Sequence, residues 1–313
     1  MGGLLFVCYK RLDLKLIDIL NDESLKPALV IGNGINRYNS TKADGNNSWD
    51  RMLLELWHKH SRSAQQMSAP QGISLTEFYD ALDLTKSSDE INLQKEFCGL
   101  MSCWAPKSHH VVISERAQNQ GVPILTTNFE ETLSSNIASD ITHFDSKSFT
   151  DFYPWESYFS DHKVRDPATE FAIWHINGMQ RYSRSIRLGL SHYMGSVERA
   201  RRLIHKGNES RLFSGKNVDE WLGYQSWLHV VFNNDLVFIG LGLDTTEVFL
   251  RWLLIERAKY FNQFHQRRKK AYFVHANDQT LQTGQELFLN SVGIQVIHES
   301  SYDQLYRTPW ELS

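Results

Sequence analysis

The chain has 313 residues, of which 41% are hydrophobic and 22% are charged. This composition is typical of a folded globular protein and excludes the disordered and fibrous classes. The formal net charge of -3 gives no overall electrostatic reason to bind nucleic acid or an anionic membrane, so we expect no sequence-specific nucleic-acid contact and no membrane location.

The spacing of cysteines and histidines argues against a metal site. Cys8, Cys98 and Cys103 leave one thiol unpaired under any disulfide scheme, and they lack the paired C-x-x-C pattern of structural zinc. The histidine pairs 58/60 and 109/110 do not share a helical face in the i, i+4 manner. We therefore expect no zinc, no other bound metal and a reducing, cytoplasmic location.

The first half of the chain is predicted to be mostly helical after one buried strand. A short helix over residues 12–20 precedes a strand over residues 28–31. Residues 49–104 show helical periodicity with few strand patterns. We interpret them as a helical insertion in a single domain over the whole chain, with a core of residues 24–48 and 105–313.

The second half predicts alternating strands and helices. A strand over residues 123–126 meets a helix near Phe129, and another strand covers residues 172–176. Three further strands are predicted in the segments DLVFIG, KAYFVHA and IQVIHES, with helices in GSVERARRLI and EVFLRWLLIERAKYF. Apolar strands that alternate with helices indicate an α/β fold with a doubly wound parallel sheet.

Polar and glycine residues directly follow four of these strands. The segments are GNGIN (32–36), TTNFE (126–130), HING (175–178) and GLGLD (240–244). Ligands of doubly wound sheets bind at the carboxyl ends of the strands, near the switch in strand order. We therefore expect these four strand-end segments to line one crevice.

Each strand-end segment also has an ordinary structural explanation. A tight turn would account for GNGIN, which is not a complete dinucleotide fingerprint because Arg37 stands at its sixth position. In TTNFE, Asn128 can cap a helix with Glu131 as its capping-box partner. His175 can be a satisfied buried imidazole, and Asn177 can bond its own turn.

Taken together and in order, the four segments resemble the sirtuin (silent information regulator two) superfamily, in particular its bacterial sirtuin-like NAD hydrolase branch of anti-phage defence. The family patterns G-A-G-x-S, T-T-N-[FY]-D and W-H-I-H-G correspond to residues 32–36, 126–130 and 174–178. Its closing glycine pattern is approximated by residues 240–244, and its Ser-Trp pair by residues 48–49.

This resemblance implies a Rossmann-like sheet with a helical insertion and NAD in the crevice between them. It implies hydrolysis of the nicotinamide–ribose bond to nicotinamide and ADP-ribose, since the zinc ribbon of the deacetylases is missing from the sequence. Such effectors deplete NAD as oligomers, and in relatives the partner can be a HerA-family DNA translocase.

The resemblance also assigns site residues. Asn128, His175 and Asn177 are the implied catalytic residues. The implied NAD-binding residues are Gly32, Asn33, Gly34, Ile35, Asn36, Thr127, Phe129, Glu130, Gly240, Gly242 and Asp244. The amides of residues 32–36 would receive the pyrophosphate, and the later glycines would let the adenosine half approach the backbone.

One departure from the family bears on catalysis. The family's catalytic histidine precedes the motif glycine, where this chain has Asn177, which cannot take a proton near neutral pH. In an extended chain His175 and Asn177 would share one face, so the pattern leaves open whether His175 has taken over. The alternatives are a catalytically impaired or non-catalytic NAD- or ADP-ribose-binding subunit, and a nucleoside or sugar-phosphate hydrolase.

Overall fold

The structure is a computed structural model that describes residues 14–41, 47–62, 68–138, 140–144, 155–215, 220–276 and 280–311. Cys8 and the first two residues of the predicted helix at 12–20 lie outside this described part. Among the described helices, none combines the length and the apolar character that a membrane span needs.

A six-stranded parallel sheet forms the centre of the fold. The strands among the described residues are β1 (Pro27–Ile31), β2 (Ile124–Thr126), β3 (Thr142–His143), β4 (Ser157–Tyr158), β5 (Ile173–His175), β6 (Asp235–Ile239), β7 (Ala271–Ala276) and β8 (Gln295–Glu299). The sheet has the order β5-β2-β1-β6-β7-β8, and β3 pairs with β4 in a separate antiparallel ribbon. The fold is therefore α/β and Rossmann-like, as the alternation of strands and helices predicts.

Helices cover both faces of the sheet. The helices in the described part of the chain are α1 (Leu16–Leu20), α2 (Gly34–Arg37), α3 (Trp49–His60), α4 (Leu75–Thr85), α5 (Leu93–Leu100), α6 (Ser108–Asn119), α7 (Leu190–His205), α8 (Trp227–Asn233), α9 (Val248–Gln263), α10 (Thr283–Ser291), α11 (Asp303–Tyr306) and α12 (Thr308–Glu311). Successive residues of β1 alternate between two cores, with Val30 in one and Ile31 in the other. Because both faces are covered, the central strands are apolar nearly throughout.

The register of the sheet brings four strand ends to one level. Ile31 of β1 lies opposite Thr126 of β2 and Ile239 of β6, and Thr126 lies opposite His175 of β5. The chain adds β2 on one side of β1 and later adds β6 on the other side, so β1 and β6 flank the switch in strand order. The segments that follow these strands therefore emerge side by side.

Helices α3, α4 and α5 build a third core of their own. Their apolar faces pack together and onto Phe129, Ile186 and Leu188, which follow β2 and β5. Trp57 stacks on Phe78 with ring centroids 4.6 Å apart, which joins α3 to α4. The residues predicted as a helical insertion thus cover the strand-end segments.

The predicted helix near Phe129 is wrong. Residues 129–138 form bends and turns, and the carbonyl of Phe129 accepts a hydrogen bond from the amide of Gln180 at 2.7 Å. Glu131 does not cap a helix at Asn128, because its carboxylate pairs with Arg181 at 2.9 Å. These long-range contacts override the local capping pattern.

Gly178 is required where the chain turns after β5. Its φ is +98°, and a Cβ at this position would overlap the backbone of Ser185. Ser185 in turn accepts a hydrogen bond through its hydroxyl from the amide of Met179, at 2.9 Å. The turn and the segment that follows it are therefore one tightly packed unit.

We predict that Gly178→Ala lowers the free energy of unfolding by about 2 kcal/mol or more, because alanine is strained at this φ and meets Ser185. Gly99→Ala is the matched control, since Gly99 lies in α5 with open space at its Cβ position, and it should gain roughly 0.5–1 kcal/mol. Urea denaturation measures both changes. Equal stability of the two variants would contradict the claim that this turn requires glycine at position 178.

Candidate active site

A cavity of about 800 Å³ lies at the carboxyl edge of the sheet, between the strand ends and helices α3 to α5. Residues that follow β1, β2, β5, β6 and β8 line it, together with residues of β7 itself, of the three helices and of α11. Its volume is in the range of roughly 300–1,000 Å³ that small-molecule sites occupy. The place where a doubly wound sheet binds its ligand is therefore an open cavity in this protein.

Most of the residues implied by the family resemblance line this cavity. They are Asn33, Gly34, Thr127, Asn128, Phe129, Glu130, Asn177, Gly240, Gly242 and Asp244. Gly32, Ile35, Asn36 and His175 are not in the lining. The four strand-end segments thus converge on one cavity, but only some of the residues implied by the motifs line it.

Asn128 is fixed at the strand end through its backbone. Its amide donates to Thr126 Oγ1 at 3.1 Å, and its carbonyl accepts from His175 Nδ1 at 2.9 Å. The side-chain Nδ2 reaches the carbonyl of Gly32 at 3.4 Å, while the buried Oδ1 has no hydrogen-bond partner among the described residues. An unsatisfied buried acceptor costs about 1–3 kcal/mol, which a ligand donor or a held water would recover.

His175 supports Asn128 from behind the cavity. It is fully buried, and its ring packs edge-on against Phe159 at 5.6 Å. Because a carbonyl can only accept, the bond to Asn128 places the hydrogen on Nδ1, and Nε2 has no partner within the described chain. Burial lowers the pKa of this imidazole, so His175 is neutral.

The expectation that His175 and Asn177 share one face is wrong. Strand β5 ends at His175, and residues 176–177 form a turn in which the amide of Gly178 donates to the carbonyl of His175 at 3.1 Å. His175 stays in the sheet row of Thr126 and points into the core, whereas Asn177 lines the cavity. The alternation of side chains ends with the strand.

Glu130 brings a titratable carboxyl into the cavity wall. It is 4% exposed, and its Oε1 accepts hydrogen bonds from Asn36 Nδ2 at 2.8 Å and from Thr132 Oγ1 at 3.1 Å. Burial raises the pKa of Glu130 to about 7, although these donors and the Asn128 side chain oppose the shift. A group that titrates near neutral pH therefore lies beside Asn128.

Asn36 acts behind the cavity, as a link between Glu130 and helix α6. Its Oδ1 lies 3.0 Å from His110 Nε2, and the amide of Lys107 donates to His110 Nδ1 at 3.0 Å. Because the Lys107 amide can only donate, His110 carries its hydrogen on Nε2 and gives it to Asn36. This fixes the Asn36 carboxamide with its Nδ2 toward Glu130.

The glycine loop after β1 has internal hydrogen bonds. The amides of Gly32 and Gly34 donate to the carbonyls of Ile239 and Gly240 at 3.0 and 2.9 Å, and those of Ile35 and Asn36 donate within the loop. A Cβ on Gly34 or on Gly240 would overlap the Tyr306 hydroxyl. Close packing between two strand-end loops thus accounts for these glycines, and four of the five amides expected to receive a pyrophosphate, those of Gly32, Gly34, Ile35 and Asn36, already have acceptors.

Sequence reasoning missed several lining residues. Helices α3 to α5 and the segment after α5 contribute an apolar wall of Trp49, Met52, Leu75, Phe97, Met101 and Trp104. Phe129 joins this wall to the strand end, with ring centroids 6.2 Å from Trp49 and 6.0 Å from Phe97. An amphipathic helix has the same periodicity whether its apolar side faces a core or a ligand, so periodicity alone does not identify such residues.

The lining is also acidic. Asp50, Glu130, Asp244, Glu247 and Asp303 are the lining carboxyls, and Arg37 and His275 are the lining basic residues. Burial, together with Asp244, raises the pKa of Glu247 to about 7. Glu247 lies three residues after GLGLD, so its position near the end of β6 can be predicted from the sequence. The acidic lining suits a ligand with a cationic portion.

Neither a scan against models of protein families nor a search of curated proteins finds a match for this chain. The sirtuin resemblance therefore stays a prediction that depends on the strand-end segments. Among the described residues, no group of three or more histidine, cysteine, aspartate or glutamate side chains is placed to hold a metal ion.

We predict that Glu130→Gln changes how stability depends on pH. The carboxyl pKa rises from 4.5 to about 7 on folding, so the stability tied to this group is fully present below pH 4.5 and is lost as the pH rises through 7. Relative to the variant, the parent should lose about 3 kcal/mol of unfolding free energy between pH 4 and pH 8. Chemical denaturation at both pH values measures this difference, and parallel pH dependence of the two proteins would contradict it.

Proposed function

We propose that the protein binds NAD in the cavity and hydrolyses its nicotinamide–ribose bond, releasing nicotinamide and ADP-ribose. The observation that carries this proposal is that all four strand-end segments meet at one cavity, where Asn128 and Glu130 lie side by side. Their order along the chain is the order in the sirtuin-like NAD hydrolases that the sequence resembles.

The chemistry suits these side chains. As the glycosidic bond breaks, positive charge develops on the ribose, and nicotinamide leaves as a neutral base, so no strong acid is required. The unsatisfied Oδ1 of Asn128 accepts a hydrogen bond from a ribose hydroxyl or from the attacking water. The Glu130 carboxylate, once ionised, stabilises the developing positive charge.

Charge also gives the ligand a direction. The pyridinium ring of NAD is cationic and its pyrophosphate is anionic, so the ring belongs near Glu130 and the apolar wall. The amides of Gly32, Gly34, Ile35 and Asn36 are already bonded. Arg37, an exposed cavity-lining residue, is the cation of that loop and can bind a phosphate oxygen. The dinucleotide is then oriented by Glu130, which attracts the pyridinium ring, and by Arg37, which attracts the pyrophosphate.

A second candidate function is binding of NAD or ADP-ribose with little turnover. The observation that favours it is that Asn177 lines the cavity while His175 points into the core. An asparagine holds a ribose hydroxyl but does not take its proton near neutral pH. In this case the protein is a subunit that binds NAD or ADP-ribose without cleaving it at an appreciable rate.

We further propose that the protein works as an oligomeric, NAD-depleting effector of phage defence in the cytoplasm, because the branch that it resembles does so. A HerA-family DNA translocase is the partner that the same resemblance suggests. The strand-end segments are the support for both statements.

We predict that the purified protein releases nicotinamide from NAD and that Asn128→Ala lowers kcat/KM by about 100-fold or more, because the variant loses the group that holds the sugar or the water. Chromatography of released nicotinamide measures the rate. Asn290→Ala, an exposed asparagine of α10, is the matched control and should retain the parent rate.

Asn177→His separates the two candidate functions. If the parent binds NAD by calorimetry without turnover and Asn177→His gains nicotinamide release, the parent is a disabled enzyme; if both proteins bind NAD and neither releases nicotinamide, the protein is a binding subunit. Binding of nicotinamide riboside with no measurable binding of NAD would contradict both candidates and favour a nucleoside hydrolase.

A further inference from the structure

We infer that Glu130 is the general base of this site and that its Oε2 takes the proton of the water that attacks ribose C1′. This inference rests on the proposed function and deepens it, because it assigns the proton-accepting role that neither Asn177 nor His175 fills. It concerns a residue that the family resemblance implies only as an NAD contact.

The hydrogen bonds of Glu130 leave one oxygen for the reaction. Two neutral side-chain donors, Asn36 Nδ2 at 2.8 Å and Thr132 Oγ1 at 3.1 Å, bond to Oε1, and the Asn128 side chain is a third donor to this carboxyl. We assign the proton to Oε2 because it accepts neither of the first two bonds. Asn128 lies against the same carboxyl and lines the same cavity, so a water held by Asn128 is within reach of Glu130.

A directional chain holds the carboxyl in this orientation. The Lys107 amide donates to His110, His110 donates to Asn36, and Asn36 donates to Oε1 of Glu130. Burial and the adjacent His109 lower the pKa of His110 to about 3, so His110 stays neutral and does not compete for the proton. His110 and Asn36 are positioning residues.

The basicity of Glu130 fits the role. Burial raises the pKa of its carboxyl to about 7, and an effective general base has a pKa near the operating pH. The main opposing influences are hydrogen bonds from neutral groups; the charged cavity residues Arg37, Asp50, Asp244, Glu247 and Asp303 are not among the largest influences. The titration of Glu130 therefore reflects its burial and this hydrogen-bond set.

The other candidate bases are placed less well. His175 has an unprotonated Nε2, but this side chain is fully buried and is not in the cavity lining. Glu247 has a similarly raised carboxyl pKa, yet it precedes α9 on the β6 side of the cavity, beside Asp244. Glu130 is the carboxyl that contacts Asn128.

The step balances with water as the only co-reactant. The water oxygen forms a bond to C1′ as the C1′–N bond breaks, and the bonding electrons return to the pyridine nitrogen, which neutralises the ring. Oε2 of Glu130 takes the water proton and releases it to solvent in the next stage. The products are nicotinamide, ADP-ribose and one proton.

The test is the pH dependence of kcat/KM for nicotinamide release in the parent, Glu130→Gln and Glu247→Gln. The parent should show an acid limb near pH 7, where activity rises as Glu130 ionises. Glu130→Gln should lose about 100-fold or more in kcat and lose this limb, while calorimetry still detects NAD binding. Glu247→Gln should keep the limb.

Two further variants distinguish loss of the base from structural damage to the site. Glu130→Asp keeps a titrating carboxyl and should recover part of the activity together with an acid limb. Asn36→Ala removes a hydrogen bond that lowers the pKa of Glu130, so the limb should move to higher pH. A structural role alone would lower activity at every pH without moving the limb.

The outcomes separate the inference from the proposed function. A parent that cleaves NAD while Glu130→Gln keeps the acid limb overturns the inference and leaves the function intact, as does loss of the limb in Glu247→Gln alone. A parent that binds NAD without cleaving it also overturns the inference, because a base in place would support turnover. A parent that does not bind NAD contradicts both.

Discussion

The register of the parallel hydrogen-bond ladder is the constraint on which the site depends. Ile239, Ile31, Thr126 and His175 form one row across four neighbouring strands, so the segments after them leave the sheet at one level. These segments are far apart in the sequence, and only this alignment makes them neighbours. A one-residue slip of β2 would reverse the faces of its side chains and remove Asn128 from the cavity.

Burial determines the chemical character of the site. Helices α3 to α5 cover the strand ends with an apolar wall. Glu130 is buried at these strand ends, and burial makes its ionised form costly. The Glu130 carboxyl accepts hydrogen bonds from the neutral side chains of Asn36 and Thr132 and has no ion pair with a basic residue among the described residues. Since a salt bridge would lower the carboxyl pKa and these donors do so less strongly, Glu130 is left titrating near neutral pH.

The sequence predicts the fold well because the strands are short apolar runs with glycine and polar residues at their ends. It predicts the convergence of the strand-end segments for the same reason. It does not predict the directions of side chains beyond a strand end. The alternation of an extended chain places His175 and Asn177 on one face, but β5 ends at His175. The Glu130–Asn36–His110 chain joins three separate segments, and no local pattern encodes it.

The central claim is that this cavity holds a nicotinamide dinucleotide with its ribose against Asn128. A crystal structure of Glu130→Gln, slowed in turnover and soaked with NAD, tests this claim most directly. The account predicts a ribose oxygen or a bridging water within hydrogen-bond distance of Asn128 and the pyridine ring against the wall formed by Trp49, Phe97 and Phe129. Density for the dinucleotide elsewhere on the protein, with the Asn128 carboxamide uncontacted, would contradict it.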